Sequence, residues 1–129
     1  MLAGIAPGMG ERLRMYSCPM LPYEIEPRDL ENLKQDTGEP RFLLLDVREP
    51  WEYEIARLDG SVNMPMGDVP SRANAELDPD QRIIAICHHG VRSLSVASWL
   101  RNQGFEQAQS LAGGIDSWAA QLDPAMPRY

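Results

Sequence analysis

Seven consecutive residues, Cys87-His88-His89-Gly90-Val91-Arg92-Ser93, bring together a thiol, two imidazoles, a glycine, a guanidinium and a hydroxyl. The run Arg82–Ile86 before them predicts a buried strand, and Ser93–Gln103 after them predicts a helix. A cysteine then stands at the C-terminal end of a strand, in a short turn that opens a helix. Backbone N–H groups in such a turn can face inward as a nest for an anion. The first turn of the helix adds unpaired N–H groups and the positive end of its dipole. Arg92 brings five donors in a planar fork. A cysteine in that setting is expected to react as a thiolate nucleophile. Cys87 is therefore the candidate nucleophile and Arg92 the candidate group that stabilises an anion beside it. His88, His89, Gly90, Val91 and Ser93 are the expected lining of the site.

Each of these residues also has a plainer reading. Free cysteines are often inert core thiols, but a core thiol has no need of the residues that follow Cys87. An arginine is unhelpful at the positive start of a helix unless it holds an anion. Cys87, His88 and His89 offer three metal ligands, yet adjacent residues rarely converge on one tetrahedral ion. The chain has no other histidine, so neither a metal nor any other cofactor is expected. The two imidazoles instead shape the entrance or supply partial positive charge near neutral pH. Gly90 suits a turn conformation that other residues resist. Two roles are open to Ser93: capping the helix, or donating its hydroxyl to the thiolate.

The elements that must hold this loop follow from the rest of the chain. Residues 1–20 are mixed in character and read as a loose arm, with 21–129 as the folded domain. Cys18 lies in the arm and is either an inert thiol or a resolving partner for Cys87. Tyr23-Glu24-Ile25 predicts a short edge strand. Pro27 opens a helix at its first position, where a missing N–H costs nothing; Leu30 and Leu33 form its stripe, and Gly38 and Pro40 end it. Phe42–Asp46 is apolar until its final charge, the pattern of a central parallel strand buried on both faces. Glu49–Ile55 predicts a short helix with Trp51 and Ile55, four apart, packed inward. A brief strand over Ser61–Met64 and a weak helix over Asp68–Ala75 lead to Arg82–Ile86. The helix after the loop places Leu94, Ala97, Leu100 and Arg101 on one arc, widened by Val96 and Trp99. Ala108–Leu111 is the last strand, Gly113-Gly114 breaks it, and Ile115–Leu122 is the last helix. The tail Asp123–Tyr129 reads as irregular.

Strands alternating with helices at this spacing imply an α/β fold, a mostly parallel central sheet with helices packed on it. Ligands bind such sheets beyond the C-terminal ends of the strands. Cys87 lies at one such end. Asp46 ends the strand expected nearby, so Asp46 and Arg48 are supporting candidates, either as an ion pair ordering the rim or in contact with substrate.

The 129 residues carry a net charge of −7 and two cysteines. That charge argues against non-specific binding to nucleic acid or to an anionic membrane. It leaves room for a small anionic substrate, because exposed charges more than about 10 Å away are largely screened. No apolar run reaches the ~20 residues of a membrane span. The first residues lack a basic stretch followed by an apolar core, so no secretory signal is expected. Two cysteines, one of them in a reactive turn, fit a reducing compartment, and the expected location is the cytoplasm.

The loop Cys87–Ser93 closely resembles the active-site loop of the rhodanese domain of sulfurtransferases. Leu44-Leu45-Asp46-Val47-Arg48-Glu49 and Leu111-Ala112-Gly113-Gly114-Ile115-Asp116-Ser117-Trp118 resemble two further blocks of that family, in the same order. The resemblance runs from about Tyr23 onward and implies helices on both faces of the sheet. It implies transfer of a sulfane sulfur from thiosulfate, or a donor such as mercaptopyruvate, to cyanide or a thiol through a Cys87 persulfide. A sulfur-acceptor protein is the partner that this implies. The family's Gly-His-Ile-Pro-Gly-Ala segment is replaced by Ala56-Arg57-Leu58-Asp59-Gly60-Ser61, so no histidine serves there. A non-catalytic or sulfur-relay interaction module is the alternative. Cysteine phosphatases are a further one, but they space cysteine and arginine as Cys-x5-Arg. Here Cys87 and Arg92 give Cys-x4-Arg, a tighter ring suited to a persulfide sulfur rather than a phosphoryl group.

Overall fold

The computed structural model describes residues 21–36 and 42–129. The expected arm 1–20 with Cys18, and the helix-ending Gly38 and Pro40, lie outside the described residues. Strands β1 (Glu24–Ile25), β2 (Phe42–Asp46), β3 (Val62–Asn63), β4 (Arg82–Ile86) and β5 (Ala108–Leu111) form one sheet in the order β1-β5-β4-β2-β3. Every pairing is parallel. The connecting helices are α1 (Pro27–Gln35), α2 (Pro50–Ile55), α3 (Val69–Glu76, entered through a 3₁₀ turn at Met66–Asp68), α4 (Val91–Asn102) and α5 (Gly114–Leu122).

Strand alternation splits the core in two. Ile83, Ala85 and Cys87 join Leu45, Val69, Ala73, Val96, Ala97 and Leu100 on the side of α3 and α4. Ile84 and Ile86 join Leu30, Leu44, Leu111, Ile115 and Trp118 on the side of α1 and α5. Apolar residues thus fill both faces of the central strands, which is why β2 and β4 read as continuous apolar runs. The expected α/β sheet with helices on both faces is the fold observed.

Two local expectations are corrected. Trp51 does not pack inward: it is 61% exposed, Ile55 is also exposed, and Glu52 is the buried residue of α2. The ion pair and hydrogen bonds that Glu52 makes, described below, fix which side of this short helix turns in. Helix α4 begins at Val91, not Ser93. Its buried stripe is accordingly Ser93, Val96, Ala97 and Leu100, while Leu94 is only half-buried. The tail after α5 is irregular, as read, but folds back onto α2 and the loop after β4.

Candidate active site

Strand β4 delivers Cys87 to the C-terminal edge of the sheet, directly after Ile86, whose carbonyl accepts from Val47 N–H at 2.9 Å. The chain then turns through His88 and His89 into Gly90, which has φ +99° and is the N-cap of α4. A side chain there would be strained, and its Cβ would stand 3.0 Å from Gly113 N. The first N–H groups of a helix have no partner within it. In α4 the cysteine sulfur meets two such donors: Gly90 N–H donates to Cys87 Sγ at 3.1 Å and Ser93 N–H at 3.3 Å. The Ser93 hydroxyl lies 3.3 Å from Sγ and 2.7 Å from the hydroxyl of Ser110 on β5. Of the two roles open to Ser93, the structure places its hydroxyl on the sulfur; it does not cap α4. These donors are the kind that solvate a thiolate.

A second helix start orients the same loop. In α5, Ile115 N–H donates to the Cys87 carbonyl at 2.8 Å and Asp116 N–H to the His88 carbonyl at 3.1 Å. The carbonyls are drawn toward α5, while Gly90 and Ser93 turn their N–H groups to the sulfur. This approach requires Gly114, at φ +65°, because a Cβ would lie 2.3 Å from the His88 oxygen and 2.5 Å from the Cys87 oxygen.

Cys87 itself is buried, 1% exposed, and belongs to the apolar cluster beneath α4. Arg92 bonds to a carboxylate rather than to the sulfur. Its fork is seated on Glu52, with Nη1 on Oε1 at 2.8 Å and Nη2 on Oε2 at 3.0 Å. Glu52 also accepts from Glu49 N–H at 2.9 Å, closing a capping box on α2, and from the Tyr129 hydroxyl at 3.0 Å. The Arg92 contact, with these bonds, holds the Glu52 carboxyl well below its ordinary value, at about 2, against the opposing effect of burial. The bond to Glu52 likewise raises the Arg92 pKa.

Asp46 and Arg48 are an ion pair, both fully buried. Arg48 Nη2 stands 2.7 Å from Asp46 Oδ2 and Nε 2.9 Å from Oδ1. The remaining Arg48 donors meet the carbonyls of Glu52 and Ala56 and the Tyr129 hydroxyl. Burial works against the Arg48 charge, but the bonds to Asp46 and Tyr129 outweigh it and raise its pKa. With its donors occupied, Arg48 ties β2 to α2 rather than reaching a ligand. His88 stacks between His89 and Tyr129, with 4.0 Å between ring centroids on either side. Burial and the neighbouring His89 lower the His88 pKa. Val91 is exposed beside the loop. Among the described residues no cluster of His, Cys, Asp and Glu could hold a metal ion, and no helix is long and apolar enough to cross a membrane.

Sequence reading missed Glu52 and Tyr129. The Glu49-x-x-Glu52 spacing at the start of α2 was a capping-box signal for Glu52. A tyrosine in a proline-containing tail carries no comparable signal.

The rhodanese-like domain family matches residues 27–121. Rhodanese-like/PpiC domain-containing protein 12, chloroplastic, of Arabidopsis thaliana is 35% identical over 113 residues, covering 82% of this chain and 37% of that protein. Adenylyltransferase and sulfurtransferase MOCS3 of the same plant is 30% identical over 104 residues, covering 69% of this chain and 22% of that protein. The chain therefore spans well under half the length of these curated relatives. A rhodanese-related protein from Thermoplasma volcanium has a crystal structure that superposes with a TM-score of 0.68 at 30% identity, covering 78% of this chain and 94% of that one.

Proposed function

The chain belongs to the rhodanese-like domain family, and from that membership and the geometry we propose that it is a sulfurtransferase working through a Cys87 persulfide. The observation that carries this reading is the convergence of Gly90 N–H, Ser93 N–H and the Ser93 hydroxyl on Cys87 Sγ. A nucleophile inside a set of fixed donors is equipped for covalent transfer of an electron-rich group. The Cys87 thiolate attacks the outer sulfur of thiosulfate or a similar donor such as mercaptopyruvate. The donor's bond to that sulfur breaks, and with thiosulfate the electron pair leaves on sulfite. Cys87 keeps the outer sulfur as a persulfide. A thiol, as its thiolate, or cyanide then attacks that sulfur, and Cys87 departs as the thiolate. Donor capture includes an opening of the loop, since Cys87 is buried.

Residue roles follow the same reading. The loop amides take charge on the sulfur and on the leaving group. Arg92, seated on Glu52, adds positive charge from the side. The catalytic unit is 21–129, and the physiological acceptor is a thiol-bearing small molecule or protein in the cytoplasm. The chain's match to portions of larger proteins, one of them named a sulfurtransferase, favours a second reading as a relay module passing sulfur between partners.

Mass spectrometry after thiosulfate treatment tests the covalent step. A gain of about 32 Da on Cys87 is expected, one sulfur atom retained after nucleophilic attack. No adduct with any sulfane donor sinks the proposal. Cys87→Ser should abolish thiosulfate–cyanide turnover with the fold intact; equal turnover would leave a docking module. An aryl phosphate assayed alongside should not be hydrolysed.

A further inference from the structure

We propose that Tyr129 is a positioning residue for Cys87: through Glu52 it sets where the Arg92 charge stands beside the sulfur. The inference rests on reading Cys87 as the nucleophile. Tyr129 lies outside the stretch that matches the family, yet its side chain touches the site in two ways. Its ring stacks on His88, the residue after the nucleophile, at 4.0 Å and 15°. Its hydroxyl accepts from Arg48 Nη1 at 2.8 Å and donates to Glu52 Oε2 at 3.0 Å.

The direction of these bonds is fixed by charge. Arg48 can only donate, so the phenol oxygen faces Arg48 and its proton is directed to Glu52. Arg48 is itself fully buried and bonded to Asp46 and to the carbonyls of Glu52 and Ala56. The phenol thus anchors one oxygen of a carboxylate whose two oxygens both hold Arg92. Without the hydroxyl, Oε2 loses its tie to the β2 end of the sheet. The remaining tie, from Glu49 N–H to Oε1, allows the carboxylate to pivot, and Arg92 pivots with it. Neither the loop nor α4 offers Arg92 another carboxylate, since residues 87–102 contain no Asp or Glu.

Two alkylating reagents of nearly equal size report the charge at Cys87. Iodoacetate is an anion and iodoacetamide is neutral; both form an S–C bond to Cys87 and release iodide. Their rates at Cys87, followed by peptide mass spectrometry at one pH and ionic strength, give a ratio that reads the local field and not the access. Tyr129→Phe keeps the ring and removes the hydroxyl. It should lower the iodoacetate-to-iodoacetamide ratio about three- to tenfold, the loss of one hydrogen bond to a charged group. Tyr129→Leu should lower it at least as far. A ratio unchanged in both variants, or both rates shifting by a common factor, overturns the role. A wild type that forms no persulfide would remove the proposed sulfur transfer and leave this measurement standing. Persulfide formation with an unmoved ratio would remove the role of Tyr129 alone.

Discussion

Glu52 is buried in a helix whose aromatic neighbour Trp51 is exposed, and that inversion has a pH signature. Its folded value of about 2 lies below its ordinary value of 4.5, chiefly through Arg92. A carboxylate depressed on folding adds stability that is complete above its unfolded value and is lost as pH falls through the folded one. Acid unfolding should therefore draw on Glu52 between about pH 4.5 and 2. The Glu52→Gln variant should lose of order 2 kcal/mol at pH 7, after allowance for the water around Arg92, and much less at pH 2. Urea titrations at the two pH values check this; a constant difference would contradict it. Asp46→Asn should cost more, about 3–5 kcal/mol, because it leaves the fully buried Arg48 charge without its partner. At this scale the sequence was half legible. Cys87 and its loop declared themselves by residue type and order. The carboxylate that holds Arg92 did not, because it sits 40 residues away and meets it only through the parallel register of β2 and β4.

Helices α4 and α5 aim their first turns at the same loop from different directions. One supplies donors to the sulfur and the other to the loop carbonyls. Gly114 is where the second helix closes on the loop. Gly114→Ala would put a methyl group at 2.3 Å from a carbonyl oxygen, in a backbone conformation that alanine resists. The expected outcome is a lower melting temperature together with loss of persulfide formation at Cys87; a variant that melts lower but still forms the persulfide at the wild-type rate would unlink α5 from the site. Element types were readable because Pro27 and Pro50 open helices and the apolar runs mark the strands. The inward face of α2 was not. With six residues, its pattern was too short for apolar spacing to outweigh a carboxylate with four donors waiting.

The described residues form a five-stranded parallel sheet between two apolar layers. Its α/β class was legible from the alternation of elements. The strand order was not, because periodicity says nothing about which strand enters the sheet beside which. Here β1, the first described strand, pairs with β5, the last. Glu24 meets Ser110 only after roughly 85 residues have been brought round, a loop closure costing about 4 kcal/mol in chain entropy. Two short hydrogen-bonded rungs, Ser110 N–H to the Tyr23 carbonyl and Ala112 N–H to the Ile25 carbonyl, reward that closure. From this balance β1 is expected to dock late in folding, onto a nucleus of β2, β4 and β5. Ile25→Ala should then speed unfolding and leave the refolding rate almost unchanged, whereas Ala85→Gly in the central strand should slow refolding. Stopped-flow chevrons of the two variants would separate the arrival of the edge from the birth of the core, and a slowed refolding limb for Ile25→Ala would reverse the order.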